Sequence, residues 1–307
     1  MTKFRVSHLV RNPAQQGVAA VVTLITVGTA LLLLPSAVDG PTGLGLEDAL
    51  FMSTSATTVT GLATVDVEAF SLFGELILLG LIQVGGFGIM TIGSVIALAA
   101  WRRVGLKQRM LAQAEIGAID IGELRTLIRA IARITIGVEG TLATVLFVRF
   151  WQADYEDGPG EAAYSAVFHA IATFNNAGIS LYSDSLTRFV HDPLVVFPIT
   201  AAFVIGGLGF PVLVEFGRRI RPRRWSLHTR ITLGATALLL LVGPLTVLVF
   251  EWNNPGTLGP LNVWEKVQAA WFQGVTPRTA GFNTIDIGAM REPTLNVITG
   301  LMFIGAG

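Results

Sequence analysis

Polar and hydrophobic positions along this chain fall into long blocks. No Asp, Glu, Lys or Arg occurs between Arg11 and Asp39, between Glu75 and Arg102, between Asp192 and Glu215, or between Arg230 and Glu251. Each block is long enough to cross a hydrocarbon core of about 30 Å, which takes roughly 20 residues of helix. A further span, from Arg133 to Arg149, is interrupted only by Glu139, and another runs apolar from Glu292 to Gly307. The pattern predicts an all-α integral membrane protein. The first block exceeds the core of a signal peptide and no small-residue cleavage site ends it, so it reads as a retained helix.

The segments between spans repeat. "LEDALFMSTSATTVTGL", "GEAAYSAVFHAIATFNNAGI" and "LNVWEKVQAAWFQGVTPRTAGF" each read as a short apolar or amphipathic helix running into small residues. Each closes on a glycine and its neighbour: Gly61, Gly178 and Gly281. These stretches are too long for turns and too apolar for free loops. A re-entrant helix and loop fits, because non-helical backbone at membrane depth survives only where protein or a water-filled cavity satisfies it. A second motif follows each loop: "IQVGGFGIM", "FVIGGLGFP" and "MFIGAG", whose first glycines lie 24, 28 and 24 residues after Gly61, Gly178 and Gly281. The repeating unit is helix, re-entrant pore helix with loop, helix. The copies run in parallel around a central pore, with boundaries at 1–110, 111–225 and 226–307.

Charge sets the orientation. Sixteen of the 21 Lys and Arg lie in three segments: Lys3 to Arg11, Arg102 to Arg133, and Arg218 to Arg230. The other connections carry acids such as Asp39, Glu47, Asp48, Asp66 and Glu68. By the positive-inside rule the basic segments and the N-terminus are cytoplasmic, in a multi-pass protein of the plasma membrane. Only 14% of residues are charged and 52% are hydrophobic, against about 25% charged in soluble domains. The chain has no cysteine, which excludes disulfides and thiolate chemistry.

Parallel repeats bring the three glycine loops together on the axis. Glycine admits backbone angles closed to other residues, so carbonyl oxygens can turn inward and replace the water around a dehydrated cation. The C-termini of the pore helices add partial negative charge at the same place. These loops read as walls of an ion filter.

At this point the chain resembles the Trk/Ktr/HKT superfamily of potassium transporters. "TVTGL" (58–62), "NNAGI" (175–179), "RTAGF" (278–282) and the "GGFG" and "GGLGFP" motifs carry the resemblance, over essentially the whole chain. It lacks an extra hairpin before the first unit, which makes it most like the KtrB type of subunit. The resemblance implies potassium uptake across the plasma membrane by a pore-forming subunit, with no enzymatic activity and no cofactor. K+ is the transported ion, and Na+ is a possible activator. It assigns Val59, Thr60, Gly61 and Leu62, then Asn176, Ala177, Gly178 and Ile179, then Thr279, Ala280, Gly281 and Phe282 to an ion-binding filter. It also implies a homodimer in the lipid bilayer on a cytosolic nucleotide-binding RCK subunit, and no nucleic-acid partner. Family members build the pore from four units, so three of the expected four are present. Gly305, Ala306 and Gly307 resemble the start of an intramembrane gate. A non-conducting fragment and a sodium-coupled cation symporter are the alternatives. Symporters usually show inverted repeats, and the repeats here are parallel.

Several residues have a second reading. The G-x-G pairs at 86/88 and 207/209 lack a third glycine and a preceding strand, so Gly85, Gly86, Gly88, Gly206, Gly207 and Gly209 are read as close helix packing. Glu139 is a functional candidate by its position in a span, with hydrogen bonding to a neighbouring helix preferred over ion coupling. His169 is read as a packed histidine that donates to backbone. His8, His169, His191 and His228 show no metal-ligand spacing. Arg278 would repel cations if it faced the pore, so a bidentate pair with a carboxylate behind the filter is expected, supporting the loop. The arginines between 218 and 224 read as the cytoplasmic anchor, with a regulatory partner or anionic lipid as a secondary use.

Overall fold

The structure is a computed structural model that describes residues 13–40, 43–102, 123–217 and 225–305. Ten α-helices and no strand occur among them: α1 (Pro13–Leu32), α2 (Leu46–Thr58), α3 (Leu72–Arg102), α4 (Glu123–Gln152) and α5 (Pro159–Phe174), then α6 (Pro193–Gly207), α7 (Phe210–Gly217), α8 (Leu227–Glu251), α9 (Val263–Val275) and α10 (Glu292–Ile304). The short helices start where the sequence offers a signal. α2 carries Glu47 and Asp48 in its first turn, favourable at the positive end of the helix dipole. α5 and α6 begin with a proline, whose missing N–H costs nothing there. α9 opens with a reciprocal capping box between Asn262 and Glu265.

One packing scheme recurs. α1, α2 and α3 pack on one another, as do α4, α5 and α6, while α8 packs on both α9 and α10. Between these groups, α3 lies against α5 and α6 lies against α9. A continuous core threads the contacts, from Met52 and Ile82 through Phe150 and Phe168 to Phe203 and Phe272. The outward faces are apolar too. On α8, Ile231, Leu241 and Val249 are 61%, 59% and 70% exposed, a surface that lipid, not water, would solvate. Arg129–Gln152 and Leu227–Glu251 are long and apolar enough to cross a membrane, and the α6–α7 pair would make a third if counted as one span. Gly17–Leu32 and Leu72–Gly88 are shorter apolar stretches.

That third span corrects the sequence reading. The charge-free block between Asp192 and Glu215 is not one straight helix, because α6 and α7 meet at 99°. Gly209 takes φ +78° at the break, and Pro211 follows in the first turn of α7, where it cannot continue the preceding ladder. Block length records hydrophobicity and is blind to backbone direction. Gly209 therefore marks a bend, which the reading as close helix packing did not include.

In each of the three groups the end of the first helix is tied to the start of the third, by three different chemistries. Beyond α1, Ser71 donates its N–H to Ala37 O at 3.1 Å and its hydroxyl to Ser36 O at 2.6 Å. At the end of α4, Arg149 Nε donates to Asp192 at 2.5 Å, and Tyr155 donates to the same carboxylate at 3.1 Å. At the end of α8, Glu251 is fully buried and accepts from Thr257 (2.7 Å), Asn254 (2.5 Å), Arg291 N–H (3.0 Å) and the Thr294 hydroxyl.

Glycines set how closely helices approach. A Cβ on Gly85 would stand 2.0 Å from Thr57 O, on Gly206 2.0 Å from Phe174 O, and on Gly86 2.2 Å from Asn175 Oδ1. These three bear out close packing, whereas Gly88 has open space around its Cβ position. The variant Gly85→Ala should lose about 2 kcal/mol or more, the usual scale of overpacking against backbone that cannot move. Gly80→Ala, with nothing within 4 Å, should be neutral or gain up to about 1 kcal/mol from helix propensity. Thermal unfolding in detergent separates the two. Equal stability would show that the α2–α3 contact is looser than described.

Candidate functional site

The C-termini of α2, α5 and α9 run into three irregular loops with one backbone signature. Val59, Asn176 and Thr279 have φ of +56°, +57° and +64°, and each lies two residues before a glycine, Gly61, Gly178 or Gly281, with φ of +82°, +64° and +78°. Left-handed backbone is uncommon for a non-glycine residue and most so for β-branched ones. It costs about 1–2 kcal/mol per residue and persists where the surroundings over-determine it.

The loops meet backbone to backbone. A Cβ on Gly61 would lie 2.7 Å from Ala177 O, and one on Gly178 would lie 2.8 Å from Gly281 Cα. Only glycine permits this approach. Gly178 thus sits between the other two, and all three line one cavity of about 180 Å³ with Asp66, Ser180, Tyr182, Ser183, Ser185 and Asn283 among its walls. The middle loop is the most enclosed, with Ala177 and Ile179 at 0% and 2% exposure. Thr60 and Leu62 on one flank, and Thr279 on the other, are exposed.

Each loop is held by the C-terminal end of the helix before it. Thr60 N–H donates to Ser55 O at 2.9 Å, Ala177 N–H to Ala172 O at 2.7 Å and Ala280 N–H to Thr276 O at 3.0 Å. With its amide turned so that the nitrogen faces the two carbonyls, Asn176 donates to Phe203 O and Thr173 O at 3.0 and 3.1 Å. Phe282 is fully buried, and its carbonyl accepts from the Thr276 hydroxyl at 2.5 Å. Beyond the glycines, His169 is buried on α5 with Nδ1 2.8 Å from Ser165 O and Nε2 3.1 Å from Ser180 Oγ. Its ring stacks on Tyr182 at 4.8 Å. The packed role read for this histidine is borne out, and it braces the limb that leaves Gly178. Loops two and three are cross-linked, as Asn283 N–H donates to Ser185 Oγ at 3.2 Å and Leu186 N–H to Asn283 O at 3.0 Å.

Arg278 requires a correction. It is 5% exposed, as a supporting residue would be, but no carboxylate among the described residues lies within ion-pair distance. Its Nε and Nη1 have no hydrogen-bond partner there. The bidentate pair was inferred from the cost of a free cation near a cation path, and that argument fixes no partner. Gly305 ends α10 at φ +69°, and a Cβ on it would lie 3.8 Å from Thr279 Cγ2. Ala306, Gly307 and the arginines between 218 and 224 lie outside the described residues.

Sequence reasoning missed an aspartate that recurs after each glycine: Asp66, Asp184 and Asp286, at five, six and five residues. Two are engaged. Asp184 accepts from Thr187 at 2.7 Å and from Arg188 at 2.9 and 3.0 Å. Burial would raise its pKa, but these hydrogen bonds outweigh burial and hold it below the usual carboxylate range. Asp286 accepts from Gly288 N–H at 2.8 Å. Asp66 instead lines the cavity, exposed. The spacing after each glycine was the available signal. Glu139, 8% exposed in α4, accepts from Gln83 at 3.3 Å and Asn175 at 3.2 Å, in line with hydrogen bonding to neighbouring helices.

With this geometry in place, known proteins supply the context. Residues 8–307 match TrkH, described as a cation transport protein. The Ktr system potassium uptake protein B of Bacillus subtilis is 43% identical over 284 residues, covering 92% of this chain and 63% of its own length. Its namesake in Vibrio alginolyticus is 39% identical, covering 97% of this chain and 66% of its own length. The chain therefore spans a little under two thirds of either relative. The crystal structure of the potassium transporter TrkH from Vibrio parahaemolyticus superposes with a TM-score of 0.70 at 20% identity, over 98% of this chain and 58% of that one. The helices share that fold, and the chain belongs to the TrkH family of cation transport proteins.

Proposed function

We propose that the three glycine loops are walls of a potassium filter, and that the chain works in K+ uptake across the plasma membrane. The observation that carries this reading is the common backbone signature, left-handed at the glycine and two residues before it, in three loops that meet at one cavity. The names of the two relatives support K+ as cargo. In this reading the groups α1–α3, α4–α6 and α8–α10 are parallel units of a pore, and the N-terminus is cytoplasmic.

A hydrated cation enters from the acidic outer side, where Asp66 raises its local concentration. Deeper in, carbonyls of Val59, Thr60, Asn176, Ala177, Thr279 and Ala280 and of the three glycines replace its water. Leu62, Ile179 and Phe282 pack behind them. The C-termini of α2, α5 and α9 add partial negative charge. An inside-negative potential of 100 mV drives each K+ inward by about 2.3 kcal/mol, so uptake needs no chemical coupling. Arg278 supports the third loop from its buried place beneath it. Gly305 opens a gate, extended by Ala306 and Gly307, that lies next to Thr279. By family resemblance the working unit is a homodimer on a cytosolic RCK ring, with Na+ as an activator.

Two measurements test the reading with the chain in its native reading frame, in bacteria that lack other K+ uptake. Gly178→Ser places a side chain at φ +64° and 2.8 Å from Gly281 Cα. It should cut K+ uptake at low K+ and reduce K+/Na+ discrimination by about tenfold or more, since even about 1.4 kcal/mol of strain shifts an equilibrium that far. Unchanged uptake and selectivity would overturn the filter assignment. Asp66→Asn should raise the half-saturating K+ concentration by about two- to fivefold at low ionic strength, the scale of one exposed charge at contact distance. Added choline chloride should erase the difference by screening. A shift that is indifferent to salt would remove Asp66 from the entry path.

A further inference from the structure

One buried carboxylate within the membrane region has no part in the mechanism above. Glu139 lies midway along α4 and is 8% exposed. Its Oε2 accepts from Gln83 Nε2 at 3.3 Å and its Oε1 from Asn175 Nδ2 at 3.2 Å. Gln83 belongs to α3. Asn175 is the residue that ends α5, three before Gly178 and directly before the left-handed Asn176. The Asn175 amide nitrogen also lies 3.0 Å from Gln83 Oε1 and 2.9 Å from Ile171 O, so its two hydrogens are shared among three acceptors. Its Oδ1 rests against Gly86, one turn along α3 from Gln83, where a Cβ would stand only 2.2 Å away. No Lys, Arg or His among the described residues forms an ion pair with Glu139.

Simple adhesion between helices does not account for this choice of residue. A carboxylate at membrane depth is costlier than an amide or a hydroxyl, and a glutamine would hold two helices together as well. What a carboxylate adds is a second acceptor oxygen and no donor. Both oxygens are used, one on the amide of α3 and one on the amide that caps α5. The two amides are themselves hydrogen-bonded, so the three side chains close a triangle. One corner of that triangle is the residue that caps α5 before the middle glycine loop. The carboxylate therefore fixes the orientation of Asn175, and through it the point where the chain turns left-handed.

We propose that Glu139 is a positioning residue for the middle glycine loop, and that K+ selectivity depends on its clamp on Asn175. This rests on the filter reading of that loop. Glu139 touches no transported ion and acts through Asn175, whose neighbours set the backbone that meets both Gly61 and Gly281.

The test exchanges donor and acceptor. Glu139→Gln leaves one acceptor where two are needed. Asn175→Asp sets a second carboxylate against Glu139. The double variant again holds one carboxylate and one amide at these positions, with their roles swapped. Each is expressed in the native reading frame, its membrane level is measured by immunoblot, and the ratio of K+ to Na+ uptake is compared at equal protein. Either single variant should lower the ratio by about fivefold, in keeping with polar contacts between membrane helices. The double variant should recover at least half of the loss on a logarithmic scale. Gln83→Leu, which removes one donor without adding charge, should lower the ratio in the same direction and serves if the double variant fails to insert. A selective wild type with an equally selective Glu139→Gln protein overturns the proposal alone. So does a double variant, or a Gln83→Leu protein in its place, that fails these expectations. A wild type without K+ preference overturns the filter reading, and this proposal with it.

Discussion

Backbone that leaves the helix inside the protein must find partners there, and three loops of this chain do so at one place. That constraint orders the rest of the structure. The loops approach so closely that side chains are excluded at Gly61, Gly178 and Gly281, and each turns left-handed at a residue that is not glycine. Such conformations hold only under support from several sides. The preceding helices give it, through hydrogen bonds that return to their C-terminal ends. The following helices give it from behind, where Gly85 and Gly206 let α3 and α6 press on the carbonyls of Thr57 and Phe174. The packing glycines and the loop glycines thus solve one problem from two directions.

The equivalent junctions of the three groups show how little the chemistry of a support matters if its geometry is kept. Where the first helix of a group meets its third, one group uses backbone and a serine, another an arginine with an aspartate, and the third a buried glutamate ringed by neutral donors. A hydrogen-bonded charge pair and a fully satisfied carboxylate both meet the requirement that buried polar groups be paired. No common sequence motif marks these three positions, although they occupy the same place in the packing scheme.

Features carried by a period or by a spacing were legible in the sequence. The charge-free blocks gave the helices, and the recurrence of a glycine with a later glycine motif gave the three loops and the close packing behind them. What stayed hidden depended on contacts between distant positions or on backbone direction. Val59 and Thr279 are β-branched residues from which left-handed backbone would not be read. The 99° bend at Gly209 lies inside a block of unbroken hydrophobicity. The carboxylate expected for Arg278 is absent among the described residues, because a penalty argument says where a charge should not point and nothing about what it meets. The triangle of Gln83, Glu139 and Asn175 joins three helices, and no pattern along the chain brings those positions together.

Two buried glutamates in this protein illustrate the distinction that sequence cannot make. Glu251 sits at a helix end, where a backbone N–H, two hydroxyls and an amide converge on it. With both oxygens saturated, its charge is fully solvated by protein, and the residue is explained by the junction it closes. Glu139 sits in mid-helix with two amide donors, and one of those amides belongs to the residue that caps α5 next to the middle loop. Its hydrogen bonds are longer and fewer, so its hold on Asn175 is the weaker constraint and the more easily altered. A site that must keep three strained loops in register gains most from such a contact where the chain changes hand, and Asn175 stands at that point.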